Sequence, residues 1–198
     1  MAAVLKKANI HDFMLLEKAD EVGGTWRENH YPGAECDVPS SLYSFSFEHK
    51  PDWKYTWSEQ GQILEYLKHS AEKYGLYEHI RFGCELASAH FQRSEGWLIS
   101  TQDGSTLSAR HLIMAIGQLH HPSIPEIRGQ KGFAGPQFHS ARWRHDIDFT
   151  NKRVAVIGAG NSAFETANYL SSVAGFIHVL CRNPPKFAWE THYPGDIR

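Results

Sequence analysis

The stretch that decides the fold is VAVIGAGNSA, residues 154–163. Its apolar start predicts a β-strand, and this strand leads directly into a G-x-G-x-x-A pattern that opens a predicted helix over 161–172. Gly158 permits a tight turn, Gly160 lets a pyrophosphate come close to the backbone, and Ala163 lets the helix pack against the strand. The dinucleotide-binding fingerprint requires this order of elements. The alternative is an ordinary β-α turn that contains two glycines.

The helix start and a second strand complete this β-α-β pattern. Asn161 and Ser162 begin the helix, where unpaired backbone N–H groups and a partial positive charge attract phosphates. The second strand, over 176–181, is followed by Arg182. An acid at this place would bind the ribose 2′-hydroxyl of NAD, whereas a guanidinium pairs with the 2′-phosphate of NADP. We therefore predict that the unit binds NADP, with a solvated Arg182 as the alternative.

The start of the chain has features of a second dinucleotide-binding unit without its glycine loop. Residues 2–8 are good helix formers that Asn9 can end, and residues 13–16 form an apolar run typical of a parallel strand buried on both faces. Glu17 follows this run, where such a unit places its ribose-binding acid. The sixteen residues before it contain no glycine. Either Glu17 is an ordinary strand-end carboxylate, or a first strand and glycine loop have been lost. The uncapped helix at Met1 favours loss.

The middle of the chain predicts a helix followed by an antiparallel insertion. Apolar residues within 63–74 share one helical face, with Ser58 before and Gly75 after as helix caps. Residues 86–115 read as antiparallel strands, the last of them over 107–114 after a hairpin turn. The predicted fold class is therefore α/β, with two dinucleotide-binding, Rossmann-like domains that are both incomplete and an antiparallel β insertion.

Composition argues against several classes of function. The 198 residues carry a net charge of -2, which gives no electrostatic reason to expect a nucleic acid partner. No apolar run approaches the roughly 20 residues of a membrane span, so membrane association is not expected. The thirteen histidines lack metal-ligand spacing, and Cys36, Cys84 and Cys181 form no C-x-x-C pair. We expect no metal site, no disulfide framework and a reduced, cytoplasmic location.

Five further segments are characteristic of one enzyme family. They are LEKAD at 16–20, GGTW at 23–26, YPGAECDV at 31–38, YSFSF at 43–47 and FAGPQFHSARW at 133–143. Together these segments resemble the class B flavoprotein monooxygenases, and the last matches the F-x-G-x-x-x-H-x-x-x-W signature of the Baeyer–Villiger monooxygenases. The segment 114–118 is similar to the crossing between the FAD and NADP domains of that family. The sequence departs from the family at Ile116 and Arg144. It lacks the family's first glycine loop and C-terminal half, so it resembles an N-terminal fragment.

The resemblance implies a flavin-dependent oxygenation. In this family NADPH passes hydride to FAD, and the reduced flavin adds O2 to form a C4a-peroxyflavin. This peroxide converts a small organic ketone to an ester or lactone, and oxygenation of sulfur or nitrogen is a related activity. The resemblance also implies an FAD-binding domain over 1–148 and the start of an NADP-binding domain over 149–198.

The resemblance also assigns roles to individual residues. Those expected around the cofactors are Glu17, Gly24, Thr25, Trp26, Asp37, Gly117 and Gln118. Glu17 would contact the FAD ribose, residues 24–26 would line the flavin and its phosphates, and Asp37 would lie beside the isoalloxazine and orient a catalytic arginine. His139 would sit at the domain hinge and couple NADPH binding to turnover. The simpler alternatives are a turn cap for Asp37 and a hydrogen-bonded interior histidine for His139.

Two other functions are weighed against the monooxygenase. A catalytically inactive fragment, or nucleotide-binding remnant, would keep the glycine loop without the flavin chemistry. A two-dinucleotide disulfide reductase needs a redox cysteine pair, which the sequence lacks. Flavin absorbance of the purified chain distinguishes the monooxygenase from the remnant.

Overall fold

The computed structural model describes residues 1–183, which form an α/β structure with two compact units. The first unit comprises Met1–Gly24 and Glu65–Gln118, and the described part of the second comprises Thr25–Leu64 and residues 119–183. The α-helices are α1 Ala2–Lys7, α2 Thr25–Glu28, α3 Gln60–Lys73 and α4 Asn161–Ser171. The strands are β1 Leu15–Leu16, β2 Ile80–Arg81, β3 Leu86–Gln92, β4 Gly96–Thr101, β5 Thr106–Ala109, β6 Arg153–Ile157 and β7 Phe176–Leu180. The α/β class and the antiparallel insertion are therefore confirmed.

The first unit begins with α1 and a short parallel sheet. The predicted stop is confirmed, because α1 ends just before Asn9, which has a φ of 58° in the left-handed region. Strand β1 pairs with β2 in parallel, Leu15 opposite Ile80. The prediction of a strand buried on both faces is wrong, since Met14 is 57% exposed. Within residues 1–183, β2 is the only strand that pairs with β1, so one edge of β1 stays uncovered.

Helix α3 is present where its apolar face predicts it. Gly75 ends it with a φ of 59°, its N–H donating to the Glu72 carbonyl, so the predicted C-terminal cap is confirmed. The predicted N-terminal cap is wrong. The helix begins at Gln60, and the Ser58 hydroxyl is buried 2.7 Å from the Ser40 hydroxyl instead of capping the helix. The two serine hydroxyls therefore form a hydrogen bond with one another away from the helix end.

The antiparallel insertion is a three-stranded sheet in the order β3-β4-β5. The predicted hairpin turn between β4 and β5 is confirmed, with Gly104 at a φ of 83°. The last strand is shorter than predicted, because β5 ends at Ala109 rather than continuing to Met114. Ala109 already pairs with Trp97, so only Gly96 of β4 would remain to pair with a longer β5.

The second unit contains the predicted β-α-β pattern. Strands β6 and β7 pair in parallel along their whole length, from Arg153 opposite Phe176 to Ile157 opposite Leu180. Helix α4 connects them and buries Leu170, which is 1% exposed, in a core with Tyr31, Ala34 and Trp143. Partly buried apolar residues of both strands pack against this core, including Val154, Val156 and Ile177. This packing positions the glycine loop at the start of α4.

Candidate functional site

The glycine loop between β6 and α4 is open to a ligand. Gly158 has a φ of 143°, which disfavours other residues, and its N–H donates to the Leu180 carbonyl at 2.9 Å. A Cβ built on Gly158 would lie 3.6 Å from the Cβ of Ala163, so the loop packs closely against the first turn of α4. A Cβ built on Gly160 would meet no atom within 4 Å. The loop therefore has a tight inner side and a free outer side.

The first turn of α4 suits an anion. Gly160 is its N-cap, with no side-chain cap, and the first turn contains no acidic residue. Backbone N–H groups at such a helix start lack partners within the helix. The Asn161 side-chain amide donates from Nδ2 to Asp37 Oδ2 at 2.9 Å. The structure thus brings together Asn161 and Asp37, which the sequence assigned to different cofactors.

Tyr31 makes contacts with α4 that the sequence did not indicate. Its hydroxyl donates to Glu165 Oε2 at 2.6 Å and lies 2.9 Å from Ser162 Oγ. Burial raises the pKa of Tyr31, and the bond to Glu165 raises it further. Burial also raises the pKa of Glu165, with Glu35 and Asp37 adding repulsion against the opposing bond from Tyr31. The sequence feature that could have indicated these contacts is the spacing of Ser162 and Glu165, which places both side chains on one helical face.

Arg182 lies at the same sheet edge as the glycine loop. Leu180 pairs with Ile157, the residue before Gly158, so the carboxyl ends of the two parallel strands meet there. Arg182 follows two residues later and is exposed to solvent. Arg182 therefore follows the strand end at the side of the sheet where open α/β sheets bind their ligands.

Trp26 and Thr25 lie in the short helix α2 of the second unit. The indole Nε1–H of Trp26 donates to the Tyr43 hydroxyl at 3.1 Å, and the two rings meet edge to face. Burial raises the pKa of Tyr43, so this hydroxyl stays protonated at neutral pH. Trp26 is half-buried and oriented by this contact.

His139 begins a short 3-10 helix, Ser140–Arg142. Its Nδ1 accepts the N–H of Ala141 at 3.1 Å, which leaves Nε2 as the protonated nitrogen of the neutral ring. Burial, and then the nearby charge of Arg142, lower the pKa of His139. Trp143, the last residue of the same signature, is buried against Phe138 and Phe149, so it contributes to the core of the second unit.

The other predicted site residues lie in the first unit. The Glu17 carboxylate accepts the N–H of Ala19 at 3.0 Å, directly after β1. Gly24 has a φ of 49°, and a Cβ there would meet no atom within 4 Å. Gly117, with a φ of 71°, and Gln118 are exposed at the end of this unit. Gly24, Gly117 and Gln118 are therefore exposed to solvent, and Glu17 is partly buried.

Residues 1–183 contain neither a metal-binding cluster nor a membrane-spanning helix. In this part of the chain, no group of three or more histidine, cysteine, aspartate or glutamate side chains could hold a metal ion. None of the helices there is both long enough and apolar enough to cross a membrane.

Known proteins provide an independent comparison. The family model described as pyridine nucleotide-disulphide oxidoreductase matches residues 1–198. A Baeyer–Villiger monooxygenase of Streptomyces coelicolor is 43% identical over 189 residues, which are 95% of this chain and 36% of that protein. An FAD-binding monooxygenase of Aspergillus niger is 38% identical over 192 residues, 91% of this chain and 32% of that protein.

Solved structures give the same result for the fold. A steroid monooxygenase bound to NADP superimposes with a TM-score of 0.82 at 36% identity. The match covers 91% of this chain and 36% of that one. The chain therefore resembles Baeyer–Villiger monooxygenases in sequence and structure, and it spans about a third of the length of the curated relatives it matches.

Proposed function

Because the chain belongs to the pyridine nucleotide-disulphide oxidoreductase family, we propose that it binds FAD and NADPH for a Baeyer–Villiger-type monooxygenase. The observation that carries this proposal is the open outer side of the glycine loop, where a Cβ on Gly160 would meet no atom within 4 Å. A diphosphate fits a loop of this kind because glycine lets it approach backbone N–H groups.

NADPH is the cofactor that we assign to the second unit. The backbone at Gly158 and Gly160, together with Asn161 and Ser162 at the start of α4, would hold its diphosphate. Arg182 would pair with the 2′-phosphate, since it follows the strand end at the same side of the sheet. This assignment corresponds to an NADP-binding domain that starts at residue 149. Residues 184–198 of that domain lie outside the described part of the chain.

FAD is the cofactor that we assign to the remaining site residues. Glu17 would accept a hydrogen bond from its ribose, as an acid at the end of a parallel strand does. The other residues assigned to FAD are Gly24, Thr25, Trp26, Gly117 and Gln118. They belong to the proposed FAD-binding domain over 1–148. This division of the chain by cofactor differs from its division into two compact units.

The residues of this chain would bind and orient, while FAD, when bound, supplies the redox and oxygen chemistry with NADPH as hydride donor. Asn161 holds the carboxylate of Asp37, the residue proposed to act beside the flavin. His139 stays neutral at pH 7 and keeps its Nε2–H as a donor. The reactants would be O2 and a small organic ketone, and the product an ester or lactone. Oxygenation of sulfur or nitrogen is the second candidate reaction.

The cysteines favour oxygenation over the disulfide exchange that the family description names. Cys36, Cys84 and Cys181 are free thiols, and the first two are buried. A disulfide reductase needs two thiols that can form a bond, whose Cα atoms lie within about 7 Å. Free buried thiols are also typical of a reduced compartment, so we propose a cytoplasmic location.

Flavin binding by the full chain tests the proposal. After incubation with FAD and removal of the excess, we expect the protein to keep visible flavin absorbance. Glu17→Ala should lower the FAD affinity about tenfold, the effect of losing one hydrogen bond to a charged group. Asp20→Ala, an exposed acid nearby, is the matched control and should bind as the wild type does. A colourless protein would instead identify a nucleotide-binding remnant.

A further inference from the structure

Three polar side chains form one hydrogen-bonded chain beside the glycine loop. Ser162 and Glu165 lie on the first turns of α4, and the Tyr31 hydroxyl lies between them, 2.9 Å from Ser162 Oγ and 2.6 Å from Glu165 Oε2. Tyr31 is 7% exposed, and the other two are partly buried. A Cβ on Gly33 would lie 3.4 Å from the Glu165 carbonyl, so the segment after Tyr31 packs closely on α4.

The number of available protons restricts the directions that these two hydrogen bonds can take. A tyrosine hydroxyl donates one proton and accepts through its lone pairs. When Glu165 is ionised, its carboxylate can only accept, so Tyr31 donates to it and Ser162 donates to Tyr31. The Ser162 hydroxyl then has no proton left for a diphosphate, whose oxygens only accept.

Protonation of Glu165 reverses the direction of both hydrogen bonds among these three side chains. The carboxyl group can then donate to Tyr31, and Tyr31 can donate to Ser162. Ser162 is left with its own proton free to donate to a phosphate oxygen at the start of α4. The same three side chains therefore provide a donor in one protonation state and withhold it in the other.

We propose that Tyr31 and Glu165 are positioning residues of the dinucleotide site, and that through Tyr31 the protonation of Glu165 decides whether Ser162 donates to the cofactor diphosphate. This inference rests on the proposed function, because it assumes a dinucleotide at the glycine loop. The charged groups that face Glu165 are Glu35 and Asp37, and both carboxylates favour its protonated form.

The sign of the pH dependence follows from this arrangement. A dinucleotide that binds the protonated form more tightly gains affinity as the pH falls towards the pKa of Glu165 in the free protein, and the affinity levels off below that pKa. Burial raises that pKa, so the change is centred at a higher pH than it would be for an exposed glutamate. At most one proton is taken up per dinucleotide bound, which limits the change to about tenfold per pH unit.

Calorimetric titration of the full chain with NADP+ between about pH 5 and pH 8 tests the inference. The wild type should bind more tightly as the pH falls and take up protons, which titrations in two buffers measure. Glu165→Gln should bind tightly at every pH, because its amide N–H replaces the proton of the carboxyl group. Ser162→Ala should bind at all pH values as weakly as the wild type does at high pH.

Two further variants test the Tyr31 hydroxyl and provide a control on α4. Tyr31→Phe keeps the ring and the Glu165 charge but breaks the chain, so its pH dependence should be smaller than that of the wild type. Ser171→Ala removes a serine at the far end of α4, whose hydroxyl donates to the Asn168 carbonyl, and should retain the wild-type pH dependence. The 2′-phosphate of NADP+ titrates near pH 6 with every variant. Its contribution therefore cancels when the pH dependence of a variant is compared with that of the wild type.

The outcomes separate this inference from the proposed function. If the wild type binds no NADP+, both are wrong. If it binds NADP+ but Ser162→Ala keeps the same pH dependence, repulsion by the Glu165 charge explains the effect and the positioning role is wrong.

Discussion

The chain contains two regions with the sequence pattern of a dinucleotide-binding unit, and they differ in how much structure surrounds the pattern. Strands β6 and β7 pair along five residues each, and the helix between them buries Leu170 in a core. Strands β1 and β2 pair along two residues each, with Met14 largely exposed. The comparison teaches that a glycine loop is held in place by the strand pair and the buried helix around it. An acid that follows an apolar run does not provide such a framework.

The largest effect is expected from a loss of the core of the second unit. Leu170→Ala removes a fully buried side chain of α4 and should reduce the free energy of unfolding by about 2–5 kcal/mol. Met14→Ala changes an exposed residue of the first unit and should alter it by less than about 0.5 kcal/mol. Denaturant titration followed by circular dichroism measures both. Equal losses would show that the two regions are packed alike.

The second expected effect separates the glycine loop from the fold. Gly160 has a φ of -87°, and a Cβ there would meet no atom within 4 Å, so Gly160→Val should lower the free energy of unfolding by no more than about 1 kcal/mol, the effect of a poorer N-cap residue. The added side chain would block the approach of a diphosphate and should weaken NADP+ binding about a hundredfold, or roughly 2.7 kcal/mol. Unaltered binding would mean that the nucleotide lies elsewhere. Gly61→Val, with an equally open Cβ in α3, is the control for NADP+ binding.

A smaller effect is expected at the end of β7. Arg182→Ala should weaken NADPH binding about tenfold through loss of a charged hydrogen bond, and should leave NADH binding almost unchanged. Fluorescence titration with both nucleotides measures the ratio. Arg153→Ala, an exposed arginine at the opposite end of β6, is the matched control. An equal loss for NADPH and NADH would contradict the role of Arg182.

The smallest effect concerns the pH dependence of stability. The pKa of His139 is lowered in the folded chain, so the folded state resists its protonation. The stability associated with this group is present above the ordinary histidine pKa of about 6.5 and is lost as the pH falls through the lowered value. His139→Gln should make the free energy of unfolding less dependent on pH between about pH 5 and pH 7. A variant with the wild-type pH dependence would show that other groups are responsible.

The sequence predicts the second unit well because the pattern there is local. The strand, the glycine turn and the helix of residues 153–171 are adjacent, and each element agrees with the next. Predictions failed where they depended on partners distant in sequence. Strand β5 ends at Ala109, where only Gly96 of β4 remains beyond the last pair, and Ser58 bonds to Ser40 rather than to the helix after it.

The candidate site shows the same division. Residues of the glycine loop could be identified from their spacing, whereas the contacts of Tyr31 with Ser162 and Glu165 join residues more than 130 positions apart. The bond between Asn161 and Asp37 is equally remote, and no periodicity indicates it. Such contacts are created by the packing of the 31–37 segment on α4, which a single sequence does not encode in any local pattern.

The most direct test of the binding site is an NMR titration of the full chain with NADP+. We expect the largest changes in amide resonances at Gly158, Gly160, Asn161 and Ser162, because these residues form the loop and the helix start that would hold the diphosphate. Amides of β3 and β4 in the first unit should remain unchanged. Saturable NADP+ binding that leaves these four amides unaltered would contradict the placement of the dinucleotide at the glycine loop.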